Sequence, residues 1–353
     1  MKKTLVALAV AAVAATSANA AVVYNQDGTK VDVGGSFRVL LSKNTDERAD
    51  LKNVGSRVII KGTQDLGDGY SALANLEVRF DANDKKSFSD IEAKRVYAGF
   101  AKEGVGTLTF GKQLTNLDDV AVSDYTYDLG GVKQTKNSAN KVAKFRSADF
   151  AGFSFGLDYI FADDSNKNTN EDNLGRGFGV SAFYTTPEFA ADTKLNFEAG
   201  FSQVKIKGLD VTGDVNENAF TVGTELVSGP FALAVDYSQR KASDDSNSIN
   251  KNLENYNAKD VGIAKVNKVR ELEVGAKYNY LDNASIYGEY INGKATKANG
   301  NTYVKRNTFI LGTDYWFTKS VVAYLEGGTT KLKDQADNKA TDNKIGVGFR
   351  VYF

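Results

Sequence analysis

Covalent catalysis has few residues to work with in this chain, whose 353 residues contain no histidine and no cysteine. A serine or water nucleophile is usually activated by an imidazole, and thiolate attack needs a thiol, so the common hydrolytic constellations are excluded. Carboxylates are abundant, 44 Asp and Glu in all, but no spacing singles out an acid and its partner base. Asp81, Asn83 and Glu92 fall on the first, third and twelfth positions of a calcium loop. Lys85 and Lys86 then stand where that loop needs a ligand and a glycine. Gly175, Gly177 and Gly179 lack the strand-to-helix setting of a phosphate loop. The chain therefore reads as no enzyme, with no metal and no cofactor.

What remains is charge held in position. Arg38 alternates with Phe37, Val39 and Leu41, and Arg57 with Val58 and Ile60. In an extended segment, neighbours take opposite faces, so each arginine shares a face that the apolar residues avoid. Basic and acidic residues balance at 44 each, which leaves no excess of the kind nucleic-acid binding needs.

The elements that carry these charges alternate along most of the chain. Ile345, Val347, Phe349, Val351 and Phe353 share one face, and Lys344, Gly346, Gly348, Arg350 and Tyr352 the other. Phe153, Phe155, Leu157, Tyr159 and Phe161 lie opposite Ser154, Gly156 and Asp158. Leu195, Phe197, Ala199 and Phe201 lie opposite Asn196, Glu198, Gly200 and Ser202. Phe231, Leu233, Val235 and Tyr237 lie opposite Asp236, Ser238 and Arg240. Segments of about ten residues match a tilted strand crossing a bilayer. With 17 Tyr, 21 Phe and 33 Gly but two Pro and one Met, the composition suits strands that are apolar on one side and wet on the other.

Connections distinguish a membrane barrel from a soluble sandwich. Short links fall at 66–69, 102–104, 149–152, 186–190, 228–230, 281–283 and 318–320. Long polar links fall near 43–52, 81–90, 112–137, 162–175, 204–217, 241–267, 294–302 and 331–343. The two kinds alternate, which implies sixteen strands with tight turns at one end and long external loops at the other. Lipid offers backbone groups no water, so the sheet must close on itself. The expected fold is all-β, a transmembrane antiparallel barrel of about 16 strands. Lys2 and Lys3, the apolar run Leu5–Ala15 and Ala18-Asn19-Ala20 form a signal-peptide pattern, giving a leader over 1–20 and a barrel over 21–353. Tyr97, Tyr159, Tyr237, Tyr280, Tyr290, Tyr315 and Phe353 are candidates for interfacial aromatic belts.

Several stretches also resemble a known family. Ala21–Val33, Gly55-Ser-Arg-Val-Ile-Ile-Lys-Gly62, Val105-Gly-Thr-Leu-Thr-Phe-Gly111 and the ending Val347-Gly-Phe-Arg-Val-Tyr-Phe353 are similar to the general Gram-negative porins. The H-type major porins of the Pasteurella and Haemophilus group look most alike. Ala21–Val33 resembles the family's first strand. The resemblance implies a homotrimer in the outer membrane, in contact with lipid and lipopolysaccharide, that passes ions and small hydrophilic solutes. It implies that Phe353 is read by the barrel-assembly machinery.

It also implies that the third external loop, within 112–137, folds inward and narrows the channel. Asp124 and Asp128, four apart and followed by Gly130-Gly131, fit the family's loop carboxylates, with Asp118 and Asp119 as secondary candidates. The family's Pro-Glu-Phe is replaced by Tyr127-Asp128-Leu129. On the facing wall, Arg57 falls on a family arginine, Arg38 points inward by alternation, and either Lys94 or Arg95 joins them. A further family arginine has no clear equivalent; Lys136, Lys141 or Lys144 stand near its place. Opposed charges across a narrow bore favour polar solutes and sort them by size and charge. Three rivals stand beside a general channel: a barrel lipase or protease, which the missing histidine disfavours, an adhesin that works through loops near 162–175 and 241–267, and a substrate-specific porin for sugars or phosphate.

Overall fold

In a computed structural model of the chain, residues 20–80, 88, 91–162, 174–210, 213–243, 249, 254–258, 261–263 and 265–353 are described. The expected leader lies outside them except for Ala20, as do most of the 162–175 loop and the stretch 81–87. Among the described residues, eighteen strand segments form one antiparallel sheet. They are β1 (Ala21–Gln26), β2 (Thr29–Asn44), β3 (Asp50–Asn53), β4 (Arg57–Gly67), β5 (Tyr70–Arg79) and β6 (Glu92–Lys102). Then follow β7 (Gly106–Leu114), β8 (Ser138–Ser147), β9 (Phe153–Ile160), β10 (Leu174–Thr185), β11 (Thr193–Asp210) and β12 (Gly213–Ser228). The last six are β13 (Phe231–Ala242), β14 (Lys268–Leu281), β15 (Ala284–Thr296), β16 (Tyr303–Thr318), β17 (Val321–Asp334) and β18 (Lys339–Tyr352).

Pairing reduces the eighteen segments to sixteen barrel strands. Along one edge of β2, β18 pairs with Ser36–Asn44 and β1 with Thr29–Val33. Along the other edge, β3 pairs with Val39–Ser42 and β4 with Thr29–Ser36. Thus β18 and β1 make one strand end to end, β3 and β4 make another, and the β18–β2 ladder closes the barrel. Joining the first long strand to the last removes the open ends that a sheet in lipid could not satisfy. Ala21–Val33 is therefore not the start of a single strand. Asp27 and Gly28 turn the chain at φ 52° and 74°, a left-handed pair that suits a two-residue hairpin. At the junction, Phe353 N–H donates to the Gly35 carbonyl at 3.1 Å and Gly35 N–H donates back at 2.7 Å.

Exposure is inverted relative to a soluble core. Leu311, Phe317 and Phe231 are 62%, 60% and 57% exposed, whereas Glu77, Asp236, Glu273 and Glu326 are at most 1% exposed. The alternation read from the sequence holds: Ile345, Val347 and Phe349 point out while Arg350 points in. Tyr159, Tyr280, Tyr315 and Phe353 are exposed, as an interfacial belt requires. Tyr97 departs from that expectation. It shares the inner face with Arg95 and Gly99, and Val96 and Phe100 take the outer one.

Three external links are shorter than the composition suggests. β11 and β12 pair out to Asp210 and Gly213, through the link expected at 204–217. β15 reaches Thr296 and β17 reaches Asp334, shortening the links expected at 294–302 and 331–343. Beyond the hydrocarbon layer both faces of a strand meet water, so polarity ceases to mark where pairing stops. Lys205 and Asp214 pair at 2.7 Å across one such extension.

Candidate functional site

Four consecutive strands bring a cluster of arginines to the inner wall around one carboxylate. Glu77 on β5 meets Arg57 of β4 at 3.1 Å, Arg79 of its own strand at 2.7 Å and Arg95 of β6 at 3.0 Å. Arg38 on β2 donates to Ser36 Oγ at 2.8 Å and lies 5.6 Å over the Tyr352 ring. One glutamate among four guanidiniums leaves the patch net positive. The register explains the choice between Lys94 and Arg95. Arg95 pairs opposite Glu77 and Ala93 opposite Val78, so Lys94 is the extra residue of a bulge. It sits 3.7 Å from Glu92, with its side chain 44% exposed and away from Glu77.

The segment 115–137, between β7 and β8, lies against the wall half a turn away in strand order. Lacking a ladder of its own, its backbone needs other acceptors. Inward carboxylates supply them. Ala121 N–H donates to Glu198 at 3.0 Å, and Val122 and Ser123 donate to Asp236 at 2.8 and 2.7 Å. Tyr125 N–H donates to Glu289 at 2.5 Å and Gly131 N–H to Glu273 at 3.0 Å. Tyr127 and Asp128 N–H both donate to Glu326, the latter at 3.1 Å. Nearer its start, Asn116 N–H donates to both oxygens of Asp158 at 3.1 and 3.0 Å. Such bonds contribute roughly 0.5–1.5 kcal/mol each and cost more when a buried N–H is left without one, so the series fixes the segment's path. Ala121 is held at φ 140°, a value L residues rarely adopt, while Glu198 accepts from its N–H.

Two tyrosines add side-chain anchors. Tyr125 Oη donates to Glu225 and Tyr127 Oη to Asp314, both at 2.8 Å. Burial beside these carboxylates raises both phenols well above the ordinary tyrosine range, so they stay protonated donors. Tyr127 also stacks on Tyr324 with centroids 4.2 Å apart, beneath the Arg350 guanidinium at 4.7 Å.

The loop carboxylates occupy distinct settings. Asp128 accepts from Tyr324 Oη and lies 3.7 Å from Arg350. Asp124 accepts from Thr126 N–H and Oγ1 at 3.0 and 2.8 Å and is exposed. Gly130 and Gly131 are required beside it: a Cβ on Gly130 would lie 2.1 Å from Glu289 Oε2, and Gly131 sits at φ 94°. Asp118 is 3.9 Å from Lys133, and Asp119 is 3.2 Å from Arg146. Arg146 lies 3.6 Å over the Phe183 ring, a basic residue on β8 close to Lys144 in sequence.

Sequence reasoning passed over Arg79, Glu77, Arg146 and the wall carboxylates. Alternation already put Asp158, Glu198, Asp236 and Arg350 on the wet face. What it could not supply was which of them receive the loop. The 241–267 segment, a candidate adhesive surface, instead packs inward at Tyr256, Val261 and Ile263.

A closed sixteen-stranded barrel, apolar outside and charged within, is an outer-membrane channel by architecture. The sequence profile of the Gram-negative porins matches residues 7–335. The major outer membrane protein of Pasteurella multocida strain Pm70 is 45% identical over 374 residues, with both chains covered in full. A second major outer membrane protein of that species is 42% identical over 380 residues, again covering both. Among solved structures, Salmonella typhi OmpF in complex with daunomycin superposes with TM-score 0.69 at 20% identity, over 94% of this chain and 99% of that one. The anion-selective porin from Comamonas acidovorans gives 0.69 at 19%, over 92% and 100%. Vibrio cholerae OmpT in its trimer form gives 0.69 at 20%, over 93% and 100%. This chain belongs to the Gram-negative porin family, and it is a general diffusion channel of the outer membrane.

Proposed function

We propose that the bore of this channel is narrowed by segment 115–137 and filtered there by charge, without any catalytic step. In this reading Asp118, Asp119, Asp124 and Asp128 form the acidic side, and Arg38, Arg57, Arg79 and Arg95 form the basic side. Lys94 is left out, because it pairs with Glu92 at the bulge. The observation that carries the reading is the asymmetry of the wall. Carboxylates on β11, β13–β15 and β17 take the loop's N–H groups, and the arginines cluster on β2 and β4–β6. Solute passing between them meets charge of both signs. Ions and polar molecules exchange hydration for these groups, whereas apolar solutes must displace ordered water.

The protein works as a homotrimer, as the trimer form of Vibrio cholerae OmpT suggests by likeness of fold. Residues 1–20 act as a cleaved leader, and Phe353 is presented to the assembly machinery before the barrel settles among lipid and lipopolysaccharide. The test is the reversal potential of planar bilayers under a salt gradient. Asp124→Asn combined with Asp128→Asn should move selectivity toward anions. A reversal potential identical to the parent would remove these residues from the filter.

A further inference from the structure

At the outer end of the barrel, the inner wall changes character. Along β14, Val269 shares a face with Glu271 and Glu273, and Glu273 accepts from the loop at Gly131. By the same parity Ala295 lies on the face of Glu289, Val304 on that of Asp314 and Leu332 on that of Glu326. Val215 and Ala242 complete the apolar stretch from β12 and β13. An apolar lumen wall facing water is costly. Here it is covered by Ile249, Tyr256, Val261, Ile263 and Val266, all from the link between β13 and β14 and all at most 7% exposed.

The cover is fixed by polar contacts as well. Ile249 N–H donates to the Val266 carbonyl at 2.7 Å, and Ala258 and Val261 exchange bonds at 2.8 and 2.7 Å. The Tyr256 ring passes over bare backbone, since a Cβ on Gly293 would lie 2.1 Å from its hydroxyl. That hydroxyl donates to Glu271 at 3.0 Å. Glu271 also receives Gln134 of segment 115–137 at 2.5 Å and pairs with Arg306 at 3.1 Å. One carboxylate therefore touches both in-folded segments.

We propose that the link between β13 and β14 folds inward at Ile249, Tyr256, Val261, Ile263 and Val266 as a second element, which narrows the outer vestibule in series with segment 115–137, and that Glu271 is the positioning residue both share. The outer element sets the size of solute admitted, and the inner one acts on its charge.

Because the chain has no native cysteine, single thiols report burial without background. Val261→Cys and, independently, Ile263→Cys should react with a bulky maleimide at least ten-fold more slowly than exposed Lys265→Cys in the purified, detergent-solubilised protein. Adding Tyr256→Ala should abolish that protection. Equal rates at all three positions would overturn the in-folded placement, whether or not the charge filter holds. In liposome swelling, Tyr256→Ala should raise trisaccharide uptake relative to monosaccharide at least two-fold; an unchanged ratio removes the vestibule role. Glu271→Ala should both expose Val261→Cys and shift the reversal potential, and movement of only one readout defeats the shared anchor.

Discussion

Glu77→Gln isolates the electrostatics of the arginine cluster with almost no change in shape. The carboxylate is 1% exposed and lies 2.7–3.1 Å from three guanidiniums. Its removal adds one positive charge to the wall. In water, a unit charge about 5 Å from a passing ion changes that ion's energy by roughly 0.8 kcal/mol, or about four-fold in local ion partitioning. A narrow bore screens less than bulk water, so about four-fold is the lower bound. Breaking a fully buried pair costs about 3–5 kcal/mol. The arginines here keep 13–18% of their surface, so about 2 kcal/mol of stability should be lost. The anion-to-cation permeability ratio, read from reversal potentials in a salt gradient, should rise at least four-fold at low ionic strength and less in high salt. A ratio unmoved at both salt concentrations would refute the reasoning, because the cluster would then lie off the ion path.

Further outcomes follow from single contacts. Gly275→Ala puts a Cβ 2.0 Å from the Ser123 carbonyl, so the loop must shift and single-channel current should become larger or noisier. Val347→Arg places a charge on the lipid face and should lower barrel stability by about 2–4 kcal/mol, measured by denaturant unfolding in lipid vesicles. Gly28→Val forces a β-branched residue to φ 74°, which should lower the midpoint of heat unfolding in detergent by unseating β1. Phe353→Ala should reduce the amount of assembled protein in the outer membrane, and so should Gly35→Ala, whose Cβ would lie 2.3 Å from the Arg57 carbonyl and 2.9 Å from the Phe353 ring.

The barrel was legible because lipid imposes period-two alternation and sorts long links from short. Arg38, Arg57 and Arg350 followed from that rule alone. Lys94 did not, since a bulge inserts one residue and reverses the parity without leaving a mark in composition. The turn at Asp27-Gly28 hid inside a stretch that alternates well on both sides, so β1 was absorbed into β2. The partners of the 115–137 segment were out of reach for another reason. Its bonds to Asp236, Glu289 and Glu326 span more than a hundred residues and depend on how the barrel closes. The 243–267 link reads as a wet loop because Ile249, Val261, Ile263 and Val266 are scattered among Asn, Asp, Ser and Lys. Only the apolar wall opposite gives them a place to go.

Single-channel recording addresses the channel itself. Mature protein, refolded and inserted in a planar bilayer, should give stepwise currents that scale linearly with voltage and with salt concentration, arriving in groups of three. A barrel that inserts as folded protein yet leaves the membrane electrically silent would contradict an open, water-filled interior.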